Sequence, residues 1–221
     1  MPRRIIGAAF LSLDGVMQAP GGPNEDQSGG FEHGGWLAPI GDEAIEEQIG
    51  KLFDGPFDLL LGRRTYDIFA SYWPYQPMDN PIAAAFAKCG KYVLTSSDAP
   101  LEWQGSHRLD GIDAIAALKA QEGPNMVIQG SSTLYPQLLE RRLLDMLVTM
   151  VAPVTLGSGK RLFGEGTPAR AFTVVEQRIG SNGCVVSTLE PAGEVKTGTF
   201  ETTQPSEPEL ARRAKIAEGS W

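Results

Sequence analysis

Three short segments of this chain combine glycine, hydroxyl side chains and arginine in ways that could bind an anion. They are Gly62-Arg63-Arg64-Thr65, Gly130-Ser131-Ser132-Thr133 and Leu94-Thr95-Ser96-Ser97. Each lies at the end of a short apolar run that predicts a strand, and a helical pattern follows the first two, so free backbone N–H groups are expected where strand becomes helix. Any one segment could be a simple turn or a helix cap. Two such junctions in one domain favour a dinucleotide, which carries two linked phosphates.

The candidate acid–base groups are the carboxylates Asp14, Asp42, Glu43 and Glu46. Asp14 ends the first apolar run and precedes a glycine, so a turn explains it equally well. Asp42 and Glu43 stand where a helix is expected to begin, and negative charge there also complements the helix dipole. A role in proton transfer and a purely structural role both stay open for each of them.

The composition argues against several other functions. Two cysteines and two histidines are too few for a disulfide framework or a zinc site. The formal net charge of -8 opposes binding to nucleic acid. No apolar run approaches the ~20 residues that cross a bilayer, and the N-terminus lacks a secretory cleavage pattern, so we expect a cytoplasmic protein without a membrane partner.

Strands and helices alternate along the chain and place the three segments at strand ends. The patterns predict strands at 5–13, 58–61, 91–95, 126–128 and 147–151, and helices at about 41–53, 65–70, 82–88, 112–120 and 134–144. Segments 172–177 and 184–189 flank Ser181-Asn182-Gly183, which indicates an antiparallel hairpin. The Gly- and Pro-rich loop 18–35 has the length of a lid or substrate loop. We predict an α/β domain over 1–191 and an extended arm with a short helix over 192–221.

Taken in order, the motifs resemble the dihydrofolate-reductase-like superfamily. The resemblance extends from about residue 4 to 191, and the branch it resembles most is the reductase domain of the riboflavin-biosynthesis deaminase-reductase with its stand-alone relatives. The motifs that carry it are Ser12-Leu13-Asp14-Gly15, Gly35-Trp36, Leu61-Gly62-Arg63-Arg64-Thr65-Tyr66, Gln129-Gly130-Ser131-Ser132-Thr133-Leu134 and Leu156-Gly157-Ser158-Gly159-Lys160-Arg161-Leu162-Phe163.

The resemblance implies a mixed, mainly parallel central sheet flanked by helices, with NADPH bound across the strand ends. It implies hydride transfer to a small molecule, either a pterin- or aminopyrimidine-like heterocycle or a carbonyl compound, and a homodimer to which the C-terminal arm could contribute. By the family pattern, the cofactor-binding residues are Gly62, Arg63, Thr65, Thr95, Ser96, Gly130, Ser131, Ser132 and Thr133, with Arg64 as a substitute for Arg63. Asp14 and Trp36 are expected near nicotinamide and substrate, and Asp42 or Glu43 in the region of the dihydrofolate reductase carboxylate. For Trp36 two alternatives stay open, an aromatic wall beside nicotinamide or substrate and packing in the core.

Two departures from the family pattern bear on the substrate. Gln129, expected to contact the substrate, stands where riboflavin-pathway reductases carry a glutamate, and we expect no deaminase domain among these 221 residues. The phosphoribosyl-aminopyrimidine of that pathway is therefore not a secure substrate. The alternative to a reductase is a non-catalytic nucleotide-binding or ligand-sensing module that kept the cofactor cleft and lost the chemistry.

Overall fold

Eight strands form one sheet in a computed structural model that describes residues 2–220. In chain order they are β1 (Ile5–Leu11), β2 (Phe57–Gly62), β3 (Lys91–Leu94), β4 (Ser106–Leu109), β5 (Asn125–Gln129), β6 (Met146–Val151), β7 (Ala171–Ile179) and β8 (Val185–Gly193). Their order across the sheet is β4-β3-β2-β5-β1-β6-β8-β7. The first six in this order run parallel, and β8 and β7 complete the sheet as an antiparallel hairpin. The predicted fold class, a mixed and mainly parallel sheet with an antiparallel C-terminal hairpin, is confirmed.

Within the described part of the chain, six helices connect or follow the strands. They are α1 (Glu43–Phe53), α2 (Arg63–Ala70), α3 (Pro81–Lys88), α4 (Gly111–Lys119), α5 (Leu134–Glu140) and α6 (Glu207–Ala217), and a 3-10 turn spans Trp73–Tyr75. Capping residues determine where helices such as α3 begin. Asn80 caps α3 by accepting hydrogen bonds from the N–H groups of Ile82 and Ala83, and Pro81 occupies the first helical position, where no N–H is needed.

The apolar core lies on both faces of the sheet. On one face, Ile115 of α4 and Leu138 of α5 pack with Ile5 and Ile128. On the other face, α1 packs against Ala8, Val148 and Met150, while α2 and α3 cover Leu59, Leu61 and Val93. The central strands are therefore buried on both sides, which explains why β1 and β2 read as unbroken apolar runs in the sequence.

Several predicted boundaries differ from the structure for identifiable reasons. Helix α5 ends at Glu140 and not at 144, because Arg142 adopts a left-handed backbone conformation with φ of 53°. Strand β1 ends at Leu11 and not at 13, since the N–H of Ser12 turns to the carbonyl of Val16. Strand β4 was not predicted because Ser106-His107-Arg108-Leu109 is too polar to be recognised as a strand.

The chain beyond β8 packs little against the sheet. No residue of α6 is buried, and the Phe200 side chain is fully exposed. Helix α6 is held by its own contacts, including the Ser206 hydroxyl, which accepts from the N–H of Glu209. Within residues 2–220, no helix has the length and apolar character needed to cross a membrane.

Replacing Gly7 by Ala is expected to lower the free energy of unfolding by about 1–3 kcal/mol. An added methyl group at this site would lie 2.6 Å from Cε1 of the buried Tyr135 and 3.1 Å from Cδ1 of Leu147. Gly50→Ala is the matched control, because nothing lies within 4 Å of its added methyl, and alanine should stabilise α1 by up to about 1 kcal/mol. Urea denaturation measures both variants, and equal stabilities would contradict the close packing of β1 on Tyr135.

Candidate active site

A cleft of about 1310 Å³ opens at the carboxyl ends of β3, β2, β5 and β1. Neighbouring strands lie about 4.8 Å apart, so the cleft extends about 14 Å from β3 to β1. Ligands of open α/β sheets bind at these strand ends. The lining includes all the predicted cofactor and substrate residues, namely Gly62, Arg63, Thr65, Thr95, Ser96, Gln129, Gly130, Ser131, Ser132 and Thr133, together with Arg64.

The junctions β2–α2 and β5–α5 are joined by the hydroxyl group of Ser131. It accepts a hydrogen bond from the N–H of Gly62 at 2.7 Å and donates one to Oγ1 of Thr65 at 2.8 Å. The backbone at Gly130 and Ser131 is left-handed, with φ of 105° and 65°. A side chain at Gly130 would lie 3.0 Å from Cγ2 of Thr65, so glycine permits this close approach. The two predicted phosphate-binding segments thus form one surface.

The two adjacent arginines of the cleft are held differently. The Nε of Arg63 donates to the carboxylate of Asp67 at 2.9 and 3.1 Å, and its Nη1 donates to the carbonyl of Ala99 at 3.0 Å. Arg108 donates to the same carbonyl at 2.8 Å, so two guanidinium groups converge there. Within residues 2–220, the guanidinium group of Arg64 makes no hydrogen bond or ion pair. Arg64 is therefore the arginine whose full charge is available to a ligand.

The β1 end of the cleft has apolar walls and a polar loop. Its walls include Ala8, Phe10, Leu37 and Ile49. Gln129 of β5 lies opposite Ala8 of β1 in the sheet register. Polar groups of the loop that are buried beside these walls need hydrogen-bonding partners, and side chains of the same loop provide them.

The loop is organised around the side chain of Gln18, which sequence reasoning missed. Its Nε2 donates to the carbonyls of Asp26 and Ser28 at 3.0 and 2.9 Å, and its Oε1 accepts from the N–H of Lys160 at 3.0 Å. The Lys160 ammonium group in turn contacts the Asp26 carboxylate and the Ser28 hydroxyl. Residues 17–26 consequently line the cleft as a loop with defined polar contacts.

Glu25 is a second cleft residue that sequence reasoning missed. Its Oε2 accepts hydrogen bonds from the N–H groups of Gly21 and Gly22 at 2.8 and 3.2 Å. Removal from water raises the pKa of the Glu25 carboxyl above its ordinary value. The only signal in the sequence is a pair of carboxylates, Glu25-Asp26, inside a loop that is otherwise rich in glycine and proline.

Comparison with known proteins gives this architecture a family. The profile of the RibD C-terminal domain matches residues 3–186. The chain belongs to this family. Among solved structures, the RibD C-terminal family member shares its fold with a "Putative riboflavin biosynthesis protein" from Shewanella sp. PV-4, with a TM-score of 0.63, 20% identity and coverage of 86% of this chain and 99% of that one. The predicted resemblance to this branch is confirmed.

Two further comparisons extend the likeness. A dihydrofolate reductase from Enterococcus faecalis, solved with NADP(H), has a TM-score of 0.52 at 17% identity, covering 86% of this chain and 96% of the other. The fold is thus dihydrofolate-reductase-like. Two Bacillus subtilis (strain 168) relatives, both named as uncharacterized, are YwjB, 28% identical over 76% of this chain and 86% of its own, and YyaP, 22% identical over 83% and 92%.

Asp14, predicted near the substrate, lies outside the cleft lining of this RibD C-terminal family member. Its carboxylate accepts from the Ser12 hydroxyl at 2.6 Å and from the N–H groups of Leu156 and Gly157 at 3.1 and 2.8 Å. The Ser12 hydroxyl, and after it the Leu156 N–H, lower the pKa of Asp14 to about 2. Asp14 therefore joins the end of β1 to the loop that carries Lys160.

Asp42, the second predicted carboxylate, is 5% exposed and also lies outside the cleft lining. Its Oδ1 caps α1 by accepting from the N–H of Ala44 at 2.9 Å, and its Oδ2 accepts from the N–H of Asn182 at 3.1 Å. Gly180 allows this approach, since a Cβ there would lie 1.7 Å from Oδ1. The carboxylate fastens α1 to the β7–β8 turn. Glu43 and Glu46 are likewise absent from the lining.

Trp36, predicted as an aromatic wall, is 8% exposed and lies in the apolar cluster beneath the loop. It shares this cluster with Ala19 and Phe31, and its Nε1 donates to the carbonyl of Gln18 at 2.9 Å. The residue is not part of the cleft lining. The position of Trp36 agrees with core packing and not with an aromatic wall of the cleft.

Replacing Asp14 by Asn should make the Tm of the protein less dependent on pH in the acidic range. Because the folded-state pKa of about 2 lies below the ordinary value of 3.8, the ionised carboxylate stabilises the fold fully above pH 3.8, and this contribution is lost as the pH falls through about 2. The Tm difference between wild type and variant should be largest at pH 7 and shrink below pH 4. A difference of the same size at pH 3 and pH 7 would contradict the role assigned to the ionised group.

Trp36→Ala is expected to lower the free energy of unfolding by about 3–5 kcal/mol, as large-to-small changes in a core do. Trp36→Phe keeps most of the apolar surface and removes the donor to the Gln18 carbonyl, which should cost about 1 kcal/mol. Guanidinium denaturation compares the two. A Trp36→Ala variant as stable as the wild type would show that the ring does not support the loop.

Proposed function

We propose that this RibD C-terminal family member is an NADPH-dependent oxidoreductase acting on a small heterocyclic, pterin- or aminopyrimidine-like, or carbonyl substrate. The observation that carries the proposal is the joined pair of strand-to-helix junctions. Around Gly62 and Gly130, close backbone approach, four hydroxyl side chains and the unpaired Arg64 guanidinium share one surface. This chemistry suits the diphosphate of a dinucleotide.

In this proposal, Arg63 and Arg64 bind different phosphate groups of the cofactor. Arg64 binds the diphosphate, because its guanidinium is unpaired and it is the second residue of α2, in the first turn after Gly62. Arg63 is held towards Ala99, near Thr95 and Ser96, and so serves the 2'-phosphate that distinguishes NADPH from NADH. NADPH supplies the hydride when it is bound.

Glu25 is the proton donor that the cleft lining offers. Reduction of a C=N or C=O bond by hydride needs one proton at the heteroatom. Three carboxylates line the cleft, but Asp26 is paired with Lys160, and Asp110 follows β4 at the far end. Glu25 has a raised pKa and lies at the β1 end, which suits an acid. Asp14 and Asp42 act as positioning residues for the surrounding loops.

The second candidate is a non-catalytic nucleotide sensor, which the engagement of Asp14 and Asp42 in structural contacts keeps open. A sensor binds NADPH saturably and does not oxidise it when pterins, aminopyrimidines or carbonyl compounds are added. The homodimer stays a prediction, and sedimentation equilibrium tests it by a mass of twice 23.8 kDa.

Paired NADPH and NADH titrations test the cofactor assignment. A charge-assisted hydrogen bond contributes about 1.5–3 kcal/mol, so losing one should weaken binding about 10- to 150-fold. Arg64→Ala should weaken both cofactors alike, whereas Arg63→Ala and Ser96→Ala should weaken NADPH far more than NADH. Ionic strength is held constant, because salt screens phosphate contacts.

The control is Arg141→Ala, which removes an exposed arginine that pairs with Asp113 away from the cleft lining. It should leave both affinities unchanged. If the wild type binds neither dinucleotide at millimolar concentration, the proposed function is wrong.

A further inference from the structure

The charges in the cleft are distributed unevenly. Arg63 and Arg64 lie at the β2 end, beside the proposed cofactor phosphates. The β1 end is two strand spacings away, or about 10 Å. Its lining contains the carboxylates Glu25 and Asp26 and a single cation, Lys160.

The charge of Lys160 is already matched. Its ammonium group contacts the Asp26 carboxylate and the Ser28 hydroxyl, and the Asp26 side chain in this pair is only 11% exposed. The backbone N–H of the same lysine is held by Gln18, which fixes the pair to the loop. An anionic substrate would have to displace Asp26 to use Lys160, leaving a poorly solvated carboxylate unpaired.

The remaining walls at this end offer apolar surface and neutral hydrogen-bonding groups. Met17, Phe10, Leu37 and Ile49 contribute the apolar part. Gln129 contributes a neutral amide where a glutamate would add charge. Such walls accept an uncharged ring and penalise a carboxylate or phosphate that has no cation partner.

From this distribution we infer that the substrate is an uncharged ring compound without a phosphate or carboxylate group. The inference rests on the proposed function, and it narrows the substrate class. It separates the chain from riboflavin-pathway chemistry, because a ribose phosphate would meet Glu25 and the Lys160–Asp26 pair without finding a free cation.

Two pterins that differ in one group test the inference. 6-Methylpterin is uncharged at pH 7, and pterin-6-carboxylate has the same ring with one anionic group. Isothermal titration calorimetry on the full chain, with and without saturating NADPH, should give an affinity for 6-methylpterin at least about tenfold higher, or 1.4 kcal/mol.

Charge variants identify the residues responsible. Asp26→Asn removes one carboxylate and releases Lys160, so the preference for 6-methylpterin over pterin-6-carboxylate should fall about tenfold. Glu25→Gln is a second variant, which serves the test if Asp26→Asn fails to fold. It keeps an acceptor for the two glycine N–H groups and should reduce the preference for 6-methylpterin over pterin-6-carboxylate. Glu32→Gln, an exposed site outside the cleft lining, is the control and should change neither affinity.

Tighter binding of pterin-6-carboxylate by the wild type would overturn the inference, as would failure to bind 6-methylpterin at 1 mM with and without NADPH. The inference would also be overturned if the wild type and both charge variants showed the same preference between the two pterins. In each case saturable NADPH binding would leave the proposed function standing. Loss of NADPH binding with retained pterin discrimination would refute the proposed function alone.

Discussion

The hydrogen bonds of the Ser131 hydroxyl group are the interaction on which the β2–β5 side of the cleft depends. It joins β2–α2 to β5–α5 by accepting from Gly62 and donating to Thr65. A left-handed backbone at a non-glycine residue is unfavourable by about 1–2 kcal/mol, and two hydrogen bonds offset this cost. Without this bridge the two glycine turns would be separate loops. With it, hydroxyl groups and a free arginine from distant parts of the sequence share one rigid surface.

The opposite end of the cleft follows a different physical rule. There a glycine- and proline-rich loop, which cannot gain stability from a regular hydrogen-bond ladder, is ordered by side chains that bind backbone groups. Gln18 uses both ends of its amide, and the Trp36 ring beneath it fixes the Gln18 carbonyl. Asp14 and Asp42 do similar work for the neighbouring segments. Polar residues that look reactive in the sequence thus hold the frame of the cleft.

The sequence allowed prediction of the fold and of the two strand-to-helix junctions that meet in the cleft, because both rest on local patterns. Apolar runs mark strands, and glycine with hydroxyl residues at a strand end marks a junction whatever the distant chain does. The carboxylates were harder to interpret, since an aspartate before a glycine or a helix has the same local signature whether it faces a ligand or a backbone N–H group. Asp14 and Asp42 find their partners 142 and 140 residues away, at Leu156 and Asn182. Glu25 lay in a loop without periodicity, and only the folded chain brings it to the cleft.

The exposed helix α6 has a consequence for how the chain unfolds. An isolated helix of 11 residues is marginal in water, and this one buries no side chain. Its stability comes from the Ser206 cap and from Glu209, which pairs with Arg212 and Arg213. Such contacts weaken with salt, whereas the apolar contacts of the sheet do not. We therefore expect helix α6 to melt as a separate, salt-sensitive unit before the sheet, with its amides exchanging with solvent through local opening.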